Sequence, residues 1–201
     1  MGLLLASLNL HKVREIRAIL RDFFPGDYLS LLNYPDYTLD QEVGTSFSER
    51  AVLQSVHAAK ALDQWVLVDS SGLVVPALNN EPGLHSSNYA GSEATEKEHQ
   101  QKLIDKLLEL PEEERTGYFV CSLALASPEG LHKQVEASCE GFLLTSPRGS
   151  GGFGFDSLFV KNDYHQTFAE MDEATKNRVS HRRKALDKLL PALKSLLAVT
   201  C

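Results

Sequence analysis

The residue types best suited to chemistry stand together in Arg148-Gly149-Ser150-Gly151-Gly152-Phe153-Gly154-Phe155-Asp156. Four glycines in six residues, from Gly149 to Gly154, leave the main chain almost bare. Glycine tolerates positive φ and lets another group come close to the backbone. Bare backbone suits a phosphate or sugar, an aromatic ring suits the face of a nucleobase, and a carboxylate can accept from a base edge. A flexible hairpin loop running into the strand Leu158-Phe159-Val160 has much the same composition. The remaining segments must decide between the two.

Three further constellations bear on the choice. Ser7-x-Asn9-x-x-Lys12 follows a short apolar run and opens a helical pattern. A helix N-terminus offers unpaired N–H groups and the positive end of the dipole, both suited to phosphate. The same spacing also describes a plain Asn9 cap with a solvated Lys12. Asp69-Ser70-Ser71-Gly72 falls where an apolar strand is expected to end, the place at which open α/β sheets gather ligands. A carboxylate there can hold Mg²⁺ or act as a base, with the acidic loop of Asp40 and Glu42 as a second source of ligands, or it can simply satisfy a turn. Lys176 to Lys184 is a basic cluster in an acidic protein. Ser180 reads as the N-cap of the last helix, so His181 and Arg182 fall in its first turn, where cations oppose the dipole unless an anion is bound. A solvated basic face gives the same pattern. The histidines show no metal spacing, and neither a GxSxG elbow nor a Walker A lysine motif is present.

These segments must be positioned by a chain of 201 residues with 43% hydrophobic and 23% charged content, ordinary globular values. The formal charge of −7 excludes a general nucleic-acid binder and leaves room for a small anionic ligand in a local basic pocket. The three cysteines have no CxxC spacing and read as free thiols of a reducing compartment, with Cys121 in the core. No signal peptide or membrane span is evident, so a soluble cytoplasmic protein is expected. Leu3 to Ser7, a helix over Val13 to Leu20 and a strand over Tyr28 to Leu32 make a β-α-β opening. Further on come a helix capped by Thr45 or Ser46, a strand from Trp65 to Val68, a polar helix to Leu108, and an antiparallel hairpin from Tyr118 to Leu144. Helical segments close the chain, and Pro191 is expected to kink or restart the last. The pattern predicts one α/β domain over 1–201, with a mixed central β-sheet flanked by helices.

Taken in order, these segments resemble the inosine/xanthosine triphosphate pyrophosphatase family. Ser7, Asn9, Lys12 and Glu15 match its (S/T)-x-N-x-x-K-x-x-E start, and Asp69-Ser70-Ser71-Gly72-Leu73 matches D-D-S-G-L. Pro82-Gly83, Ser86-Ser87-Asn88-Tyr89 and Gly91 follow P-G-x-x-S-A-R-Y-x-G with a changed centre. Gly151 to Asp156 matches the G-G-F-G-Y-D loop, and Ser180-His181-Arg182 the terminal S-H-R. The resemblance spans essentially the whole chain. It implies two lobes around a nucleotide-binding cleft, a homodimer, Mg²⁺, and hydrolysis of ITP, dITP or XTP to the monophosphate and pyrophosphate. It also implies that Ser7, Asn9, Lys12, Lys176 and Arg182 hold phosphates. Phe153 would lie on the purine, with Asp156 and His181 reading its 6-oxo edge. Ser71, Gly154 and Phe155 complete the substrate-binding candidates.

The departures fall on the expected metal and base positions. Ser70 stands where the family has its usual catalytic aspartate, and Gln41 where it has a metal-binding glutamate. Asp69 and Ser70 therefore remain as catalytic candidates, and Asp69, Gln41 and Glu42 as metal candidates. Arg50, Asn88 and Tyr118 replace an Asn, an Arg and an Arg of the family pattern. A second reading follows, a nucleotide-binding protein of the same fold with weak or no hydrolysis.

Overall fold

Leu3, Leu4 and Leu5 form β1 (Leu3–Leu5), a strand buried on both faces, as its uninterrupted apolar sequence requires. The computed structural model describes residues 2–21, 23, 28–40 and 43–199. After β1 come α1 (Leu10–Leu20), β2 (Tyr28–Ser30), α2 (Phe47–Leu62), β3 (Trp65–Val75) and β4 (Glu81–Pro82). Then follow α3 (Glu96–Leu108), β5 (Thr116–Ser127), β6 (Gly130–Leu143), β7 (Phe159–Lys161), α4 (Glu173–Val179) and α5 (His181–Val199). Among the described residues the strands make one mixed sheet in the order β2-β1-β3-β5-β6-β7, with β4 paired to β3. β1 runs parallel to β2 and β3, with Leu3 opposite Tyr28 and Trp65, so the β-α-β opening is present. β4 and β7 pair antiparallel with β3 and β6.

Two elements differ from expectation. Asp69-Ser70-Ser71-Gly72 does not end a strand, because β3 continues for 11 residues. Its parallel partner β1 stops at Leu5 opposite Leu67, while β5 stays alongside and β4 pairs with Val74 and Val75. Asp69 thus lies just beyond the point where β1 leaves the sheet. Of the two outcomes expected at Pro191, a kink or a restart, the restart does not occur, because α5 is helical from His181 to Val199. Proline removes one main-chain hydrogen bond, and on an exposed face of a long helix this loss is tolerated.

The chain forms two compact units. The first comprises Met1–Ser70, Cys121–Ala137 and Arg182–Cys201. Strand alternation divides its core into two faces. Leu3, Leu5 and Leu67 pack with Val13, Ile16 and Ile19 of α1 and Ala185, Leu186 and Leu189 of α5. Leu4, Val66 and Val68 pack with Ala51, Ala58 and Ala59 of α2. The second unit comprises Ser71–Val120 and Ser138–His181. Its core joins Leu103, Ile104 and Leu107 of α3 to Leu73, Phe119, Phe155, Phe159 and Phe168.

Gly141 lets β6 and β7 approach, since a Cβ there would stand 2.4 Å from Val160 O and 2.5 Å from the Phe159 ring. Gly141→Ala should therefore lower stability by about 1–3 kcal/mol, the usual cost of forcing atoms into a filled core. Urea unfolding measures this, and an unchanged midpoint would contradict the packing described.

Candidate active site

In the first unit Asn9 is the N-cap of α1. Its side-chain oxygen accepts from the N–H of His11 at 2.9 Å and of Lys12 at 3.3 Å, and its own N–H donates to Ser7 Oγ at 3.1 Å. Ser7 and Asn9 thereby satisfy the start of the helix, the capping role their spacing allows. Lys12 follows one turn in, 17% exposed, with Nζ 3.6 Å from Asp69 Oδ1.

Asp69 joins these residues to the end of the chain. Its side chain is wholly buried, and Oδ2 accepts from Arg182 Nε at 2.6 Å and from Cys121 Sγ at 3.7 Å. Arg182, 1% exposed, also extends Nη1 to Glu15 of α1. One guanidinium therefore ties α5 to β3 and α1. Burial works against its charge, but Asp69 and then Glu15 outweigh that effect and raise its pKa above the ordinary arginine value. Burial, reinforced by Asp69, pushes the Cys121 thiol well up, which makes it an inert core thiol. The anion that the sequence asks for beside Arg182 is thus supplied from within the protein. Nor is the basic run a basic face: Lys176, His181 and Arg182 are buried, while Arg178 and Lys184 are exposed.

Ser70 is buried one residue further on. Alternation places it with Val66 and Val68 toward the α2 layer, the opposite face from Asp69. On the α2 layer the loop before the helix is tied down. Gln54 Nε2 donates to Asp40 O at 2.6 Å, and Arg50 Nε to Val43 O at 3.1 Å. Glu49 accepts from Thr45 N and Oγ1, each at 2.8 Å. Arg50 thus ties Val43 to the first turn of α2. The metal candidates Gln41 and Glu42 both lie outside the described residues. Among the described residues no group of three His, Cys, Asp or Glu side chains converges. Asp69 and Glu15 face Arg182, and Ser70 is uncharged, so the described donors do not form a divalent-cation set.

The second unit holds the glycine loop, which joins the antiparallel pair β6 and β7. It is a hairpin connection and also a built structure. Gly152 has φ +69°, and a Cβ there would lie 2.2 Å from Asp156 Oδ2. Glycine alone lets that carboxylate fold back on the loop, where it accepts from the Phe153 N–H at 2.8 Å. The same oxygen takes the ammonium of Lys176. Lys176 is 4% exposed, with Nζ 4.9 Å from the Phe153 ring centroid and 5.8 Å from that of Phe168. His181 is buried and stacked on Phe119, ring centroids 4.9 Å apart and planes 13° apart. Phe153 is only half-buried and keeps ring surface for a ligand. Phe155 is buried and packs in the core, edge-on to Tyr89 at 6.4 Å. Ser71, at the head of this unit, is half-buried.

A cavity of about 450 Å³ lies between the loop and α3. Glu96 accepts from the Gly154 N–H, and Gln100 Nε2 donates to Gly154 O at 2.5 Å. Neither residue stands out in the sequence. Both sit in the first turns of α3, more than 50 positions from the loop, with no local pattern to mark the contact.

The candidates therefore divide between the units. Ser7, Asn9, Lys12, Asp69, Ser70 and Arg182 fall in the first, and Ser71, the glycine loop, Lys176 and His181 in the second. The mixed sheet with helices packed on it defines an α/β protein.

Residues 3–192 match the Ham1 family, and the chain belongs to it. It is 52% identical to a dITP/XTP pyrophosphatase of Protochlamydia amoebophila over 197 residues, covering 98% of this chain and 99% of that one. It is 44% identical to a dITP/XTP pyrophosphatase of Chlamydia caviae, covering 98% and 96%. A HAM1 protein from Coxiella burnetii superposes with a TM-score of 0.86 at 34% identity, covering 97% and 99%. The nucleoside-triphosphatase / dITP/XTP pyrophosphatase of Mycobacterium abscessus gives 0.76 at 34% identity, covering 95% and 100%.

Arg182→Met leaves Asp69 and Glu15 buried without their cation and should destabilise the protein by about 3–5 kcal/mol. Arg182→Lys should recover part of this, since one ammonium cannot reproduce the guanidinium fork. Urea unfolding of the two variants decides, and a loss below about 1 kcal/mol for the methionine variant would contradict the clamp. Cys121 should resist iodoacetamide at pH 8 in the native protein and react once it is unfolded, as read by peptide mass spectrometry.

Proposed function

We propose that this protein hydrolyses nonstandard purine nucleoside triphosphates (dITP, XTP and ITP) to the monophosphate and pyrophosphate. The observation that carries the reading is the 52% identity, over almost the full length of both chains, to a dITP/XTP pyrophosphatase. Water attacks the α-phosphorus, the bond to the bridging oxygen breaks, and the departing pyrophosphate carries the electron pair. The family match over 3–192 supports one catalytic domain spanning the chain. A homodimer is the assembly that the resemblance implies, and among the described residues no helix is long and apolar enough to cross a membrane.

The geometry supports a division of labour. Phe153 offers a half-buried ring to the purine face. Lys176, already oriented by Asp156, brings further N–H donors beside that ring. A donor there suits a 6-oxo purine and disfavours adenine, whose amino group would leave it unpaired. Guanine shares the 6-oxo group and is rejected at position 2 by crowding. Lys12 is the phosphate candidate with exposed surface, while Arg182 serves the fold that holds Asp69 in place. Ser7 and Asn9 act on the helix start beside Lys12. Mg²⁺ enters as a cofactor on the strength of triphosphate chemistry and family membership, because it is commonly bound through substrate phosphates.

A second reading, nucleotide binding with weak or no hydrolysis, is favoured by one feature. Asp69 is turned to Lys12 and Arg182, and Ser70 brings no carboxylate to the α2 face.

Pyrophosphate release from dITP, XTP and ITP in the presence of Mg²⁺ should exceed that from ATP by about 10²-fold or more. Saturable dITP binding with no pyrophosphate released would instead establish the second reading. Lys12→Ala should weaken dITP binding about 10- to 100-fold and inosine binding hardly at all, because a charge-assisted phosphate bond is lost. Ser70→Asp combined with Gln41→Glu should raise the Mg²⁺-dependent rate while leaving the dITP dissociation constant nearly unchanged. A double variant no faster than the parent would rule out these two positions as the limit on turnover.

A further inference from the structure

Both main-chain polar groups of Gly154 are bound by side chains of α3, the N–H by Glu96 and the carbonyl by Gln100. Glu96 and Gln100 are four residues apart, so they project from the same face of the helix one turn after the other. The peptide groups on either side of Gly154 are thus gripped at two points. Nothing lies within 4 Å of where a Gly154 Cβ would stand, and its φ is +62°. Gly154 itself has no side chain to pack, so the hold of α3 on it is made by these two hydrogen bonds.

The grip has a firm base. Further along the stripe that carries Glu96 and Gln100, α3 buries Leu103, Ile104 and Leu107, with His99 beside them, and a Thr95–Glu98 capping box fixes the first turn. The residues it steadies are the ones assigned to the purine. Phe153 precedes Gly154, and Asp156 follows two positions later and accepts from the Phe153 N–H. Glu96, Gln100, Phe153, Gly154 and Asp156 all line the cavity of about 450 Å³ between α3 and the loop.

We infer that Glu96 and Gln100 are positioning residues that set base selectivity by fixing the Gly154 peptide, and with it the Phe153 ring and the Asp156 carboxylate. The inference rests on the pyrophosphatase reading. The clamp acts through the loop. Its loss lets the ring and carboxylate sample other placements, which weakens purine binding and blurs discrimination while leaving phosphorus chemistry intact.

The test compares Glu96→Ala, Gln100→Ala and Glu96→Gln with the parent. Each alanine variant should raise KM for dITP about five- to thirty-fold with kcat within about twofold, the size expected for losing one hydrogen bond that orders a site. The preference for dITP over dGTP should fall by about threefold or more. Amide exchange at Gly154 should quicken about tenfold or more in Glu96→Ala, as its acceptor is removed. Glu96→Gln keeps an acceptor and should return KM to within about threefold of the parent. A purely structural role would lower the melting temperature and leave KM, the preference and the glutamine rescue unmoved, and that result overturns the inference. A parent that binds dITP but releases no pyrophosphate refutes the hydrolytic reading alone, and the dITP and dGTP dissociation constants of the same variants then decide the clamp. A parent that binds no purine nucleotide overturns both.

Discussion

Arg182 carries its charge at 1% exposure, and removing a guanidinium from water costs several kcal/mol unless its donors and charge are matched. The match is made by Asp69 at 2.6 Å from Nε and by Glu15 at Nη1. Three elements distant in sequence meet on this one group: α1, β3 and α5. The interaction holds Asp69 just where β1 leaves the sheet, and it brings Lys12 within reach of the same carboxylate. With two cations and two carboxylates the cluster is electrically balanced. Displacing any one member leaves the others buried with an uncompensated charge, which is why the arrangement acts as a unit.

The second unit meets the same constraint on a smaller scale. Lys176 and Asp156 are both nearly inaccessible and pair directly, and the carboxylate also takes a main-chain N–H of the glycine loop. The absence of a side chain at Gly152 makes this contact possible. A loop of such composition would be mobile in isolation. Here it is ordered by a buried ion pair on one side and by α3 on the other. Phe153 is thereby presented while Phe155, two residues on, is buried, a difference set by where each ring points from a tightly turned backbone.

Membership of the Ham1 family accounts for the arrangement of the sheet and for most of the motif residues. Among the departures from the family pattern, Ser70 faces the α2 layer of the first unit, Arg50 holds Val43 O there, and Asn88 and Tyr118 fall in the second unit. Ser70 brings no carboxylate to that layer, while Lys12, Asp156, Lys176 and Arg182 stand on other elements. Binding and turnover are therefore separable questions in this protein.

The sequence by itself determined what depends on neighbours along the chain. Short apolar runs marked the strands of the mixed sheet, and Thr45 or Ser46 and the stretch Ser92 to Thr95 marked helix starts, which the structure caps at Ser46 and Thr95, because caps act over three residues. The four glycines announced an unusual loop, and the ordered motifs announced the family. Tertiary structure alone decided what depends on distant partners. Asp69 and Arg182 are 113 positions apart, and Arg182 and Glu15 are 167 apart, so no local pattern marks their pairing. The continuation of β3 through Asp69 was equally hidden, because it arises from the strands beside it and not from its own residues. So was the hold of α3 on Gly154: a hydrogen bond between a helix side chain and a loop peptide has no sequence pattern, only a place where the folded chain brings them together.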